Sequence, residues 1–147
     1  MMSANTVKIT ENDKGFPVKK DDSLKNKAVK ATLRTIPMPS DTNANGDIFG
    51  GWLLSQMDLA GSVAAIERAK NRVATVGIEA MSFHKPVNVG DVVSFYCGIE
   101  RVGRTSIAVK IESWAKRRIT GEEVLVTQGV YTYVAIDENG KSKPVDE

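Results

Sequence analysis

The sequence predicts an α+β domain in which an antiparallel sheet of about five strands is wrapped around one long central helix. Two observations predict this fold. From Gly50 to Ile66 the only charged side chain is Asp58, and a helix that is apolar on nearly every face belongs in a core. The segments on either side alternate apolar and polar residues, as strands do. A flat sheet cannot cover such a helix, so the sheet must curl around it or a second subunit must cover the rest.

The elements follow in the order strand, helix, four strands. Residues 28–36 alternate with a period of two and end at Pro37, because proline cannot serve in a central ladder. The predicted helix spans residues 50–70. Turn-forming residues separate the four later strands, and gaps this short favour antiparallel neighbours because a parallel crossover needs a dozen or more residues. These strands are predicted at residues 73–83, 91–101, 105–116 and 123–136.

Length and composition limit the classes of protein. The chain has 147 residues, enough for one domain, and we expect a single domain over residues 28–147 after a polar, mobile tail over residues 1–27. The 20 basic and 18 acidic residues leave a net charge of +2, too balanced to predict nucleic-acid binding. A single cysteine, Cys97, excludes an internal disulfide and fits a reducing compartment. With no membrane-spanning run and no secretory signal, this predicts a cytoplasmic protein.

Asp58 is the first candidate for a catalytic group. A carboxylate in a core is costly unless it is paired, hydrogen-bonded or beside a cavity. The apolar neighbours Leu54 and Leu59 would withdraw it from water, which suits a general base. The alternative, from spacing alone, is a solvent-facing aspartate on a polar stripe with Ser55 and Ser62.

A resemblance to a known family adds to this interpretation. The run NANGDIFGGWLLSQMD at residues 43–58, preceded by MPSDT, resembles the signature of the hotdog-fold acyl-CoA thioesterases, in particular the small bacterial acyl-CoA thioester hydrolases of broad specificity. The segments RTIPMP, VGDVVSFYC and VGRTSIAVKIESW fit as well, and the resemblance covers about residues 31–144. It implies a hotdog fold and a hydrolase that converts acyl-CoA to a free carboxylic acid and coenzyme A. It implies no metal and no cofactor beyond the coenzyme A of the substrate.

The resemblance also implies an assembly. Dimers of this family join two sheets edge to edge and usually form a trimer of dimers, a homohexamer. Each active site lies at a dimer interface and takes residues from both subunits.

The same resemblance suggests roles for individual residues. Asp58 becomes the general base or the nucleophile, and Asn43 in the loop becomes its partner, holding the attacking water or the thioester. The N–H groups near Gly50 and Gly51 form the pocket of the thioester carbonyl, since the first N–H groups of a helix have no intrahelical partner and can donate to an oxygen that gains charge. The alternatives are a turn role for Asn43 and a purely conformational role for the two glycines.

Coenzyme A carries phosphates, for which arginine and lysine are the natural partners. Arg104, with Thr105 and Ser106, is the predicted phosphate contact. The basic run at residues 116–118 is interpreted as a solvated strand end.

Two other functions are the alternatives to this hydrolase. One is a hotdog module that binds acyl-CoA and regulates a process without turnover. The other is a dehydratase, which normally needs a catalytic histidine. His84 is the only histidine and lies outside the loop–helix segment, so neither dehydratase nor serine-esterase activity is expected. Cys97 is interpreted as a small core residue, and no clustered ligand spacing predicts a metal site.

Overall fold

The computed structural model describes residues 23–27 and 30–146. A short helix α1 (Leu24–Lys27) precedes strand β1 (Leu33–Thr35), a 3-10 turn (Pro39–Asp41) and the long helix α2 (Gly50–Ala69). Four strands complete this part of the chain: β2 (Val73–Phe83), β3 (Val92–Val102), β4 (Ser106–Lys116) and β5 (Glu123–Ala135).

The strands form one antiparallel sheet in the order β1-β3-β4-β5-β2. The predicted order of elements, one helix between one strand and four others, is confirmed, and β2 has the predicted bounds. β1 is shorter than predicted. Residues 28–29 lie outside the described residues, and before Leu33 only the Thr32 N–H extends the ladder, donating to the Phe95 carbonyl at 2.8 Å.

The hydrophobic core lies between α2 and the inner face of the sheet. Helix residues Met57 and Ala60 are fully buried there, as are the sheet residues Phe95, Ile111 and Tyr133. The sheet therefore covers one side of the helix.

The opposite side of α2 is apolar and uncovered in the protomer. Leu59, Val63 and Ile66 are 56%, 44% and 46% exposed, and on the neighbouring edge strand Val76 and Ile78 are 59% and 47% exposed. We call these five residues the apolar face. β2 is an edge strand, so the apolar face adjoins a row of unpaired backbone groups that a further strand can bind.

A second, smaller cluster lies on the outer face of the sheet, away from α2. Trp114 packs there with Tyr96 and Leu125, and Leu24 of α1 packs against them. The Glu112 carboxylate, 0% exposed, accepts hydrogen bonds from the backbone N–H of Leu24 at 3.0 Å and from the Trp114 indole N–H at 3.0 Å. The outer face therefore holds the amino-terminal end of the described chain.

The predicted tail needs a correction at its end. Residues 1–22 lie outside the described residues, but residues 23–27 are packed on the sheet. The physical reason is a close contact with the sheet. The Leu24 side chain lies over Gly98, and a Cβ added to Gly98 would come within 2.8 Å of that side chain. Lys25 lies 5.2 Å from the centre of the Trp114 ring and pairs with Glu123 at 3.5 Å.

Among the described residues, no helix combines the length and the apolar character needed to cross a bilayer.

Candidate active site

Asp58 lies in the middle of α2, at its border with the sheet. Its Oδ1 atom accepts hydrogen bonds from the Thr75 hydroxyl at 2.7 Å and from the Tyr133 hydroxyl at 3.1 Å. The Tyr133 hydroxyl also lies 3.0 Å from the backbone carbonyl oxygen of Asp58. Both donors come from the sheet, and within the described part of the chain Oδ2 has no hydrogen-bond partner. One carboxylate oxygen is thus anchored and the other is available.

Ser55 and Ser62, the residues of the alternative polar stripe, make no hydrogen bond to Asp58 within the described part of the chain. The Ser55 hydroxyl donates to the Trp52 carbonyl and the Ser62 hydroxyl donates to the Leu59 carbonyl, each at 2.8 Å. Both serines therefore bind their own helix backbone. Asp58 is half-buried and lies beside Leu59 of the apolar face.

Two tyrosines on β5 face the helix side by side. The Tyr131 hydroxyl donates to the Leu54 carbonyl at 2.7 Å, one helical turn before the Tyr133 contact. Burial, followed by the nearby negative charge of Asp58, raises the pKa of both phenols well above the usual value. Both hydroxyls are therefore protonated at neutral pH and act as donors.

The amino-terminal end of α2 leaves backbone donors unused. The N-cap residue Phe49 makes no side-chain capping bond, and the first N–H of this turn with an acceptor is that of Trp52, bonded to the Phe49 carbonyl at 3.1 Å. The N–H groups of Gly50 and Gly51 have no acceptor among residues 23–27 and 30–146. An open groove of about 310 Å³ borders Gly50 and is lined by apolar and polar side chains, among them Leu53, Phe83 and His84. Two free donors thus lie at the edge of a groove.

Asn43 organises the loop before the helix. Its side-chain Oδ1 accepts from the backbone N–H of Asn45 at 2.9 Å and of Asp47 at 3.1 Å. Asn43 therefore has the turn role that the sequence analysis gave as its alternative. The side-chain amide NH₂ of Asn43 makes no hydrogen bond to another described residue, so this donor remains free for a ligand.

Within one protomer, the predicted site residues form two separate groups. Gly51 and Asp58 are seven residues apart on one helix, which is about 10 Å along its axis. An N–H that binds a carbonyl oxygen and a carboxylate that acts at the same carbonyl carbon must both lie within about 3–3.5 Å of the reacting atoms. We call Asn43, Gly50 and Gly51 the amide half and Asp58 with its two donors the carboxylate half.

The predicted phosphate contact lies in the turn between β3 and β4. Ser106 is paired with Val134 on β5, one residue from Tyr133. The carbonyls of Arg104 and Thr105 accept from the N–H groups of Val145 and Ala135, each at 2.9 Å. The Arg104 side chain is exposed, so the three residues lie near the carboxylate half, with the guanidinium at the surface.

His84 lines the groove that borders Gly50, and Cys97 lies in β3. The β5 partners of Thr75 and Phe83, Tyr133 and Thr127, are six residues apart, which is about 20 Å along a strand. His84 follows Phe83 and is therefore remote from Asp58 in the protomer. Burial raises the pKa of the Cys97 thiol to about 11, which makes it a packing residue and a poor nucleophile.

Sequence reasoning missed Thr75 and Tyr133. A signal for both existed, because alternation on β2 and β5 places Thr75 on the same face as Val73 and Tyr133 on the same face as Tyr131. Nothing in the sequence says which helix residue they meet. The described residues contain no group of three or more histidine, cysteine or acidic side chains close enough to hold a metal ion.

Comparisons with known proteins identify the family of this chain. The family model described as Thioesterase superfamily matches residues 45–122. The acyl-CoA thioester hydrolase YciA of Salmonella typhimurium is 50% identical over 116 residues, which is 77% of this chain and 87% of that protein. The hexameric thioesterase y2039 from Yersinia pestis has a TM-score of 0.76 and 49% identity over 80% of this chain and 96% of its own. The hexameric hotdog fold thioesterase Cj0915 of Campylobacter jejuni has a TM-score of 0.74 and 42% identity over 78% of this chain and 89% of its own. These likenesses confirm the predicted hotdog fold, and the chain belongs to the thioesterase superfamily.

Proposed function

We propose that this protein is an acyl-CoA thioesterase, which hydrolyses acyl-CoA to a free carboxylic acid and coenzyme A. One observation supports this more than any other: the carboxylate of Asp58 is anchored through Oδ1 by two hydroxyl donors, while Oδ2 is left available. A domain that merely binds a thioester has no need of such a group. The name of the Salmonella typhimurium relative, an acyl-CoA thioester hydrolase, supports the same substrate class.

The chemistry follows from these groups. As a general base, Oδ2 of Asp58 takes a proton from water while the water oxygen bonds to the acyl carbon; the C–S bond then breaks and the thiolate is protonated. As a nucleophile, the same oxygen bonds to the acyl carbon, expels the thiolate and leaves an anhydride that water hydrolyses. In both routes the carbonyl oxygen gains negative charge, which the N–H groups of Gly50 and Gly51 stabilise. Neither route requires a metal or redox cofactor.

The two halves of the site belong to different protomers in this proposal. The amide half and the carboxylate half lie too far apart on one helix to share a carbonyl, so each site is completed by a second copy. The apolar face and the edge of β2 are the surfaces that this copy covers, and a strand added there extends the sheet. The solved structures of y2039 and Cj0915 are hexameric, which supports an assembly of three such dimers.

Arg104, Thr105 and Ser106 are proposed as contacts for the phosphates of coenzyme A. Their position near the carboxylate half and the exposure of the Arg104 side chain support this role. A cytoplasmic location is also proposed, and the single cysteine, which fits a reducing compartment, supports it.

The direct test is release of free thiol from a panel of acyl-CoA esters of increasing chain length, measured with a thiol reagent. Thiol release that scales with enzyme concentration supports the proposal. Saturable binding of an acyl-CoA without any release would instead identify a binding module.

Gly51→Ala is expected to lower kcat/KM by about tenfold or more without loss of stability, because the new methyl group displaces the carbonyl from its donors. Within the described residues, an added Cβ at Gly51 meets nothing within 4 Å, and alanine is favoured over glycine in helices by about 1 kcal/mol. The melting temperature is thus expected to stay or rise. Equal losses of activity and of melting temperature would show that Gly51 serves the fold.

Asn43→Asp separates the two roles of Asn43. Aspartate keeps an oxygen for the N–H groups of Asn45 and Asp47, but it replaces the free amide donor with a negative charge. We expect kcat to fall by about 10²-fold, the usual loss for one donor to a developing charge, with an unchanged melting temperature. Full activity in this variant would show that Asn43 shapes the turn and does not bind the substrate.

A further inference from the structure

The Tyr133 hydroxyl occupies the space that a side chain at Gly61 would fill. An added Cβ at Gly61 would lie 2.3 Å from the Tyr133 hydroxyl and 2.7 Å from the Ile111 side chain. Glycine is a poor residue for the middle of a helix, and Gly61 stands in the interior of α2. The absence of a side chain here is what lets the phenol hydroxyl reach Asp58.

Tyr133 makes a contact that Tyr131 does not. The two rings lie on the same face of β5 with centroids 6.4 Å apart and planes inclined by 19°. Each hydroxyl reaches a helix carbonyl, but only that of Tyr133 also reaches a carboxylate oxygen. The chain thus offers two nearly equivalent tyrosines of which one contacts Asp58.

A carboxylate on a helix rotates about two bonds, and one hydrogen bond leaves it free to pivot. Thr75, from β2, and Tyr133, from β5, hold the same Oδ1 atom from two strands. This pair of bonds fixes the direction of Oδ2, and the Tyr133 contact to the Asp58 carbonyl ties the phenol to the helix backbone.

We infer that Tyr133, admitted by Gly61, is a positioning residue that fixes the Asp58 carboxylate so that Oδ2 faces the reacting thioester. The inference rests on the proposed function. Tyr133 touches no reacting atom, and it acts through Asp58. A positioning role affects turnover more than substrate affinity, because the carboxylate is needed for the chemical step.

The test compares Tyr133→Phe with Tyr131→Phe, each in the native chain and in the Asp58→Asn background. Tyr133→Phe is expected to lower kcat about tenfold with KM within about twofold, whereas Tyr131→Phe changes kcat by less than about twofold. In the Asp58→Asn background, Tyr133→Phe is expected to lower the residual rate by less than about twofold, since a residue that acts through Asp58 loses its effect without the carboxylate. Melting temperatures of all variants are measured alongside.

Gly61→Ala is the second variant, since it moves the phenol without removing it. It is expected to lower kcat at least as much as Tyr133→Phe does. The inference is overturned if Tyr133→Phe and Tyr131→Phe lower kcat equally, or if Tyr133→Phe costs the same factor with and without the Asp58 carboxylate. These failures differ from failure of the proposed function, in which the native protein itself releases no thiol.

Discussion

Asp58→Asn is expected to lower kcat for acyl-CoA hydrolysis by about 10²–10⁴-fold, the contribution usually made by a positioned acid–base group. Asparagine is nearly the same size, and its amide oxygen can still accept from Thr75 and Tyr133, so the fold and the assembly are expected to persist. The loss falls on Oδ2, which becomes an amide nitrogen that neither takes a proton nor attacks a carbonyl. Initial rates over a range of substrate concentrations, with the oligomer mass from light scattering, measure both effects.

Glu67→Gln is the matched control for this experiment. It also removes one carboxylate from α2, but Glu67 is exposed and lies outside the proposed site. We expect its kcat to stay within about twofold of the native value, as is usual for surface changes away from the site. Native turnover in Asp58→Asn would remove the carboxylate from the mechanism.

Mixing two inactive variants is expected to restore activity. If each site takes Asp58 from one protomer and Asn43 from another, a dimer of Asp58→Asn with Asn43→Asp has one site with both defects and one with neither. With random pairing in a two-fold symmetric dimer, half of the dimers are mixed, so about a quarter of the native activity returns. Either variant alone is expected to keep about 1% or less.

Co-expression of the two variants, followed by a thiol-release assay of the total purified protein, measures this recovery, and different affinity tags on the two variants show that mixed dimers have formed. Mixing Asp58→Asn with itself under two tags is the control and is expected to give no gain. If the mixed protein is no more active than its parents, the amide half and the carboxylate half of each site belong to the same chain.

The sequence predicts the elements of this fold well because their signals are local. An apolar run from residue 50 with one acid identifies α2, and alternation identifies each long strand to within a residue. The single carboxylate of that run is equally visible, and so is the glycine pair at the start of the helix. The contacts of each of these residues depend instead on parts of the chain that are distant in sequence.

The contacts of Asp58 show this limit. Its donors are 17 and 75 residues away along the chain, and only the register of the sheet determines that they meet at one oxygen. The docking of residues 23–27 was missed for a related reason. Five residues are too few to show a period, and their hold on Glu112 depends largely on backbone N–H groups, which every sequence possesses.

The packing of Leu24 and Lys25 on the outer face of the sheet has a consequence for the stability of the domain. The Glu112 carboxyl group has no access to bulk solvent, and its oxygens accept hydrogen bonds from the backbone N–H groups of Leu24 and Lys25. A chain shortened to its first strand would lose these two donors and leave Glu112 with the Trp114 indole N–H. Leu24 and Lys25 therefore belong to the folding unit, although the sheet begins only at Leu33.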